Sequence, residues 1–132
     1  MNEVKHKIES FTDLHTWQEG HELVVATYRF TKKLPNEETF ALKSQMQRAA
    51  VSVTSNIAEG FSRSTFADKL HFYHMAKGSL TELQNQFMIA KDVGYMKTSD
   101  FDTLLEQSKV AYSLLTGLIV STKKHNTKRS SS

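Results

Sequence analysis

The stretch LKSQMQRAAVSVTSNIAEGFSR, Leu42–Arg63, decides the fold class. On a helical wheel at about 100° per residue, Leu42, Met46, Ala49, Ala50, Val53 and Ile57 fall on one face. A different face collects Gln45, Arg48, Ser52, Asn56, Glu59 and Arg63, at steps of three and four. A half-buried strand would alternate apolar and polar residues; this run instead repeats with the helical period. One helix therefore carries two ordered stripes, one apolar and one polar.

Working outward, the chain breaks at KLPNEE around Pro35, at GFSRST near residues 60–65 and at GYMKTSD near 94–100, which leaves four segments. Before the first break, Leu14, Trp17, His21, Val24, Tyr28 and Thr31 form one stripe, and Leu23, Thr27, Phe30 and Leu34 a second beside it. This pattern predicts a helix over roughly 13–33, capped by Thr12 or Asp13 and stopped by Pro35, which disfavours helical geometry at Leu34. Asn36 reads as the cap of the second helix, with Glu37 and Glu38 complementing its positive end. Thr65 with Asp68 opens the third helix, and Gly94 is placed to close it as a C′ glycine. Gly78 and Ser79 lie in the middle of that helix, where glycine costs about 1 kcal/mol relative to alanine. A close helix-helix approach is the expected compensation. The fourth helix opens at Ser99 and keeps its three-four rhythm to about Thr122. Four long amphipathic segments with short connections predict an all-α, antiparallel, up-down-up-down four-helix bundle over residues 12–122. Residues 1–11 read as an N-terminal extension.

Composition agrees with that reading. The 132 residues include 5 Gly, 1 Pro and no Cys, too little punctuation for many short strands. Without cysteine there is no disulfide framework, thiolate zinc site or cysteine nucleophile. No apolar stretch approaches a membrane span and no signal peptide is evident, so the expectation is a cytoplasmic protein without membrane contact.

The formal charge is +3, but its location matters more than its sum. Residues 1–122 hold 13 basic against 14 acidic side chains, a net of −1; Lys123, Lys124, Lys128 and Arg129 supply the surplus. Residues 123–132 therefore read as a basic, flexible tail that either solubilises the protein or makes non-specific phosphate contacts. Four such contacts imply a log-log salt slope of about −3.6 on duplex DNA and about −2.8 on single strands.

Candidate chemistry is sparse. His71 and His74 have a spacing that metal ligands use, yet no third ligand is identifiable, and neither completes the Glu-x-x-His motif of di-metal bundles. No Gly-rich phosphate loop or nucleophile elbow is present. Hence no catalytic residue, metal or cofactor is expected. Trp17, Tyr28 and Tyr112 fall on stripes that read as inward, and so as core. The polar stripe of the second helix is either a solvated face or an oligomer interface. Its Gln, Arg, Ser, Asn and Glu, with Val51 and Ala58 on the outermost sector, favour an interface, because a solvated face usually carries Lys and Glu.

The run QRAAVSVTSNIAEGFSR, Gln47–Arg63, together with DLHTWQEGHELV, LPNEETFALKSQ and KGSLTELQNQF, resembles the signature of the four helix bundle protein family. These are also called the 23S ribosomal RNA intervening sequence proteins, and their relatives include the accessory variability determinants of diversity-generating retroelements. The resemblance covers roughly residues 11–122. It implies an antiparallel four-helix bundle assembled into a cyclic homo-oligomer, a pentamer in the family pattern. It further implies bacterial proteins of mostly uncharacterised function, some of which bind RNA or DNA and a reverse transcriptase through basic surfaces. Arg48, Ser52, Asn56, Glu59, Gly60, Arg63, Gly78, Ser79 and Glu82 match its motif positions, and none is implied to be catalytic. Two functional readings follow: a nucleic-acid-associated scaffold or adaptor using Lys123, Lys124, Lys128 and Arg129, or a protein-interaction scaffold with no nucleic-acid role.

Overall fold

The computed structural model describes residues 7–131, with side chains over 7–126. Among these residues there are four α-helices and no strand: α1 (His15–Thr31), α2 (Leu42–Ser62), α3 (Phe66–Asp92) and α4 (Thr98–Ser131). Short 3-10 turns at Phe11–Asp13 and Asn36–Glu38 precede α1 and α2. Each helix packs on two others, α1 on α2 and α4, and α3 on α2 and α4, so the four enclose one shared core. Among the described residues no helix is long and apolar enough to cross a membrane.

The six apolar positions expected on the inner face of α2 are all buried, as are Tyr73, Leu80, Leu83, Phe87 and Ala90 of α3. Leu80, Leu83 and Phe87 are fully enclosed, and each contributes about 1.5–3 kcal/mol through burial. Val93 is exposed at the end of α3.

Helix ends follow local chemistry. Ser10 and Asp13 form a reciprocal capping box around the first turn: the Thr12 amide donates to Ser10 Oγ (3.1 Å) and the Ser10 amide to Asp13 Oδ2 (3.0 Å). The cap expected for α1 at Thr12 or Asp13 is not made: Ser10 caps the preceding 3-10 turn, and α1 starts after Leu14 without a side-chain cap. Asn36 does not start α2; it opens a 3-10 turn, and Ala41 takes a non-helical conformation before Leu42. Glu38 reaches across that gap, its Oε2 accepting from the Leu42 amide at 3.2 Å. Thr65 caps α3 by accepting from the Asp68 amide (3.1 Å), and Gly94, with φ of 88°, closes it as expected.

Two expectations are corrected. On α1 the stripe Leu23–Thr27–Phe30 is the buried one; His21 and Tyr28 are exposed, while Trp17 and, on α4, Tyr112 are half-buried and pack against the core as expected. A bundle helix buries about a third of its circumference, so only one of two adjacent stripes can face the core. Trp17 also stacks on His21 (4.8 Å between centroids) and meets the edge of Phe11. The second correction concerns the C-terminus: α4 continues without interruption through residues 123–131, where a flexible tail was expected. Nothing after Gly117 breaks the helix, lysine and arginine are good helix formers, and cations complement the negative end of the dipole. The side chains of Lys128 and Arg129 lie outside the described residues.

Candidate functional site

The polar stripe of α2 lies along its junction with α3. Ser52 and Ser79 meet there, Oγ to Oγ at 2.8 Å. Asn56 Nδ2 donates to the Ser52 carbonyl (2.8 Å) and to Ser52 Oγ (3.0 Å), so Asn56, Ser52 and Ser79 form one short chain of hydrogen bonds. Small side chains let the two helices approach closely enough for hydroxyls to bond directly.

At the lower end of this seam Arg63 leaves α2 in an extended conformation. Its guanidinium pairs with Glu59 (3.1 Å) and lies over the Phe72 ring (4.5 Å to the centroid). Beneath it, Gly60 is buried against α3: a Cβ there would sit 2.6 Å from Tyr73 Cε1 and 3.2 Å from the Lys69 carbonyl. Lys69 donates to the carbonyls of Phe61 (2.6 Å) and Gly60 (3.4 Å) at the end of α2, the latter also accepting from the Arg63 amide (3.2 Å). Burial lowers the Lys69 pKa and raises that of the Tyr73 phenol.

The upper half of the seam is more open. Arg48 is exposed, and Glu82 accepts from Gln86 Nε2 at 3.3 Å. Gln86 is 3% exposed, and its Oε1 has no hydrogen-bond partner among the described residues. Gly78 faces outward, and a Cβ added to it would meet nothing within 4 Å. The close approach expected at Gly78 is thus not made inside the subunit; it occurs one residue later, at Ser79, and at Gly60. Exposed Met75, Ile89 and Val93 flank Gly78 and Glu82 along α3, and Val51 is exposed on α2.

The seam therefore brings together Arg48, Ser52, Asn56, Glu59, Gly60 and Arg63 of α2 with Gly78, Ser79 and Glu82 of α3. The cations of α4 lie elsewhere: Lys123 and Lys124 are exposed near the end of that helix, where His125 stacks on Phe66 (6.5 Å). Sequence reasoning did not identify Lys69 or Phe72, whose roles depend on α3 packing against the end of α2. Chemically the seam offers hydrogen-bonding groups and one ion pair. No group of three or more His, Asp or Glu able to hold a metal is present among the described residues, and His71 and His74 are both exposed.

A family model described as 23S rRNA-intervening sequence protein matches residues 12–117. A solved structure from Bacteroides thetaiotaomicron, described as a protein of unknown function from the S23 ribosomal protein family, is similar in fold, with a TM-score of 0.74. It is 21% identical, and the alignment covers 79% of this chain and 97% of that one. No curated protein matches the chain.

Proposed function

Because the chain belongs to the 23S rRNA-intervening sequence protein family, for which no activity is assigned, we propose that it is a non-enzymatic, homo-oligomeric scaffold of the cytoplasm. In this reading an antiparallel, up-down-up-down bundle assembles into a cyclic homo-oligomer, five copies in the family pattern, through the α2–α3 face. Its cationic residues hold RNA or DNA, alone or with a partner such as a reverse transcriptase.

The antiparallel arrangement is supported by contacts that run in opposite order along neighbouring helices. Gln47 and Thr31 bond between α2 and α1, and Gly20 lies against Thr54 and Ile57. Gln84 reaches Ser108 and Lys77 reaches Tyr112 between α3 and α4, while Thr16 bonds to the Leu114 carbonyl between α1 and α4.

Gly78 carries the assembly reading. A mid-helix glycine costs about 1 kcal/mol against alanine, and nothing within the subunit uses the space it leaves. A neighbouring copy packed on this face would use it, alongside exposed Met75 and Ile89 and the exposed charged groups Arg48 and Glu82. The test is sedimentation of Gly78→Leu. The variant is expected to fold, since the subunit has room for the side chain, and to lose mass. A variant that keeps the full oligomeric mass removes this face from the interface.

The near-neutral charge of residues 1–122 favours a second reading, a protein-interaction scaffold without a nucleic-acid role. Absence of RNA and DNA binding at low salt by the full chain selects it.

A further inference from the structure

Net charge conceals how charge is distributed over the folded chain. In the groove between α3 and α4, Lys77, Gln84 and Lys91 recur at seven-residue intervals, two helical turns each, and form one wall. Lys109, Tyr112, Thr116 and Lys123 form the facing row of α4. Lys77 Nζ lies 5.0 Å from the Tyr112 ring and Lys91 Nζ 4.4 Å from the Phe101 ring. Between them Gln84 donates to Ser108 Oγ at 3.0 Å. Lys109 lines the same groove with Gln84, Tyr112, Ser113 and Thr116, and Thr116 Oγ1 has no hydrogen-bond partner among the described residues.

No carboxylate occurs among these residues, and the α4 row meets one only at Asp102, seven residues before Lys109. On the side of α4 shared with α1, Glu19, Asp102 and Glu106 line one stretch of the groove, and Arg29, Lys33 and Asp100 another. The α3–α4 groove thus presents lysines, whereas the α1–α4 groove carries charges of both signs.

The aromatic anchors beneath Lys91 and Lys77, Phe101 and Tyr112, are roughly 16 Å apart along α4 at 1.5 Å per residue. One small anion cannot span that distance, whereas a linear polyanion can engage every cation in turn. Helices pack about 8–10 Å apart, so the groove between them is narrow for a duplex and suited to a flexible strand. A cationic groove with an aromatic side chain in its wall is the combination that tracks single-stranded nucleic acid.

We infer that the α3–α4 groove is a phosphate-binding track for single-stranded nucleic acid, entered from Lys91 and running through Lys77 and Lys109 onto the cationic end of α4. This rests on the nucleic-acid part of the proposed function and gives the folded body, rather than the C-terminus alone, the binding role.

Fluorescence anisotropy of a labelled oligothymidylate, measured across salt concentrations, tests it with the full chain. Three variants are compared: Lys77→Gln/Lys91→Gln/Lys109→Gln, the corresponding triple arginine variant, and a chain ending at Thr122. Circular dichroism and sedimentation check that each retains its fold and mass. Each lost phosphate contact reduces the single-strand salt slope by about 0.7. The glutamine variant is therefore expected to lose about 2 from the slope, the arginine variant to bind as wild type, and the truncated chain to retain groove binding.

A glutamine variant with unchanged slope, together with a truncated chain that no longer binds, overturns the inference and leaves nucleic-acid binding to the end of α4. Tighter binding of a duplex overturns the single-strand assignment. No binding by the wild-type chain overturns both the inference and the nucleic-acid reading, while leaving the assembly reading to the Gly78 variant.

Discussion

Gly60 of α2 faces the ring of Tyr73 on α3 so closely that a methyl group on Gly60 would sit 2.6 Å from Cε1 and 2.8 Å from Cδ1. Real Cβ atoms do not approach an aromatic carbon to that distance, and Tyr73 is itself 2% exposed, with little room to withdraw. Replacing Gly60 with alanine is therefore expected to destabilise the subunit by about 1–3 kcal/mol, the usual range for overpacking. Urea unfolding checks this, with a lower midpoint expected. Alanine at Gly78 has the opposite expectation for the isolated subunit, a gain of up to about 1 kcal/mol.

The Ser52–Ser79 bond links two side chains directly across the α2–α3 seam. A double-mutant cycle with Ser52→Ala and Ser79→Ala should return a coupling energy of about 0.5–1.5 kcal/mol, the net value of one hydrogen bond. Additive single-site effects would mean that the two hydroxyls prefer water to each other.

Stability at alkaline pH should depend on Tyr73. Burial raises its phenol pKa above the ordinary 10.0, so above pH 10 the unfolded chain loses this proton while the folded chain keeps it. The contribution is complete below pH 10 and is lost as pH rises through the folded value. Lys69, lowered by burial, acts in the opposite sense: its stabilising contribution lies above 10.5 and is lost as pH falls through its folded value. In urea titrations between pH 9 and 11 the Tyr73→Phe variant should fall less steeply than wild type. Parallel curves would show that Tyr73 is not the responsible group.

The continuation of α4 past Thr122 predicts that truncation there removes helix rather than coil. Far-ultraviolet circular dichroism should show total ellipticity per molecule falling in proportion to the loss of residues 123–131. An unchanged total would restore the flexible-tail reading.

Lys69 couples the end of α2 to α3 through two carbonyls. Lys69→Met removes the ammonium donor from the Phe61 carbonyl, while the Gly60 carbonyl keeps the Arg63 amide, at an expected cost of about 1–3 kcal/mol. Hydrogen exchange should then rise selectively around Gly60–Arg63. A uniform rise would indicate a global loss of stability instead.

Much of this architecture is readable from local chemistry. The inner face of α2, the Thr65 cap and the closing Gly94 each depend on residues within one or two turns, which the chain order itself supplies. The Glu59–Arg63 pair is likewise an i to i+4 neighbour on one helix. Such features determined the helical class, the break points and the existence of a polar stripe opposed to an apolar one.

What the chain order could not decide was which surfaces meet. Two stripes on α1 have the same period, and only the position of α2 and α4 selects Leu23–Thr27–Phe30 over the stripe through His21 and Tyr28. Gly60 and Gly78 look alike in sequence, yet one is pressed against Tyr73 and the other opens outward. A net charge of −1 over residues 1–122 likewise does not reveal that lysines line the α3–α4 groove while the α1–α4 groove carries both signs. The physical reason is common to all three: periodicity and composition are properties of a single segment, whereas burial, close approach and electrostatic potential are set by neighbours that only the tertiary structure brings into contact.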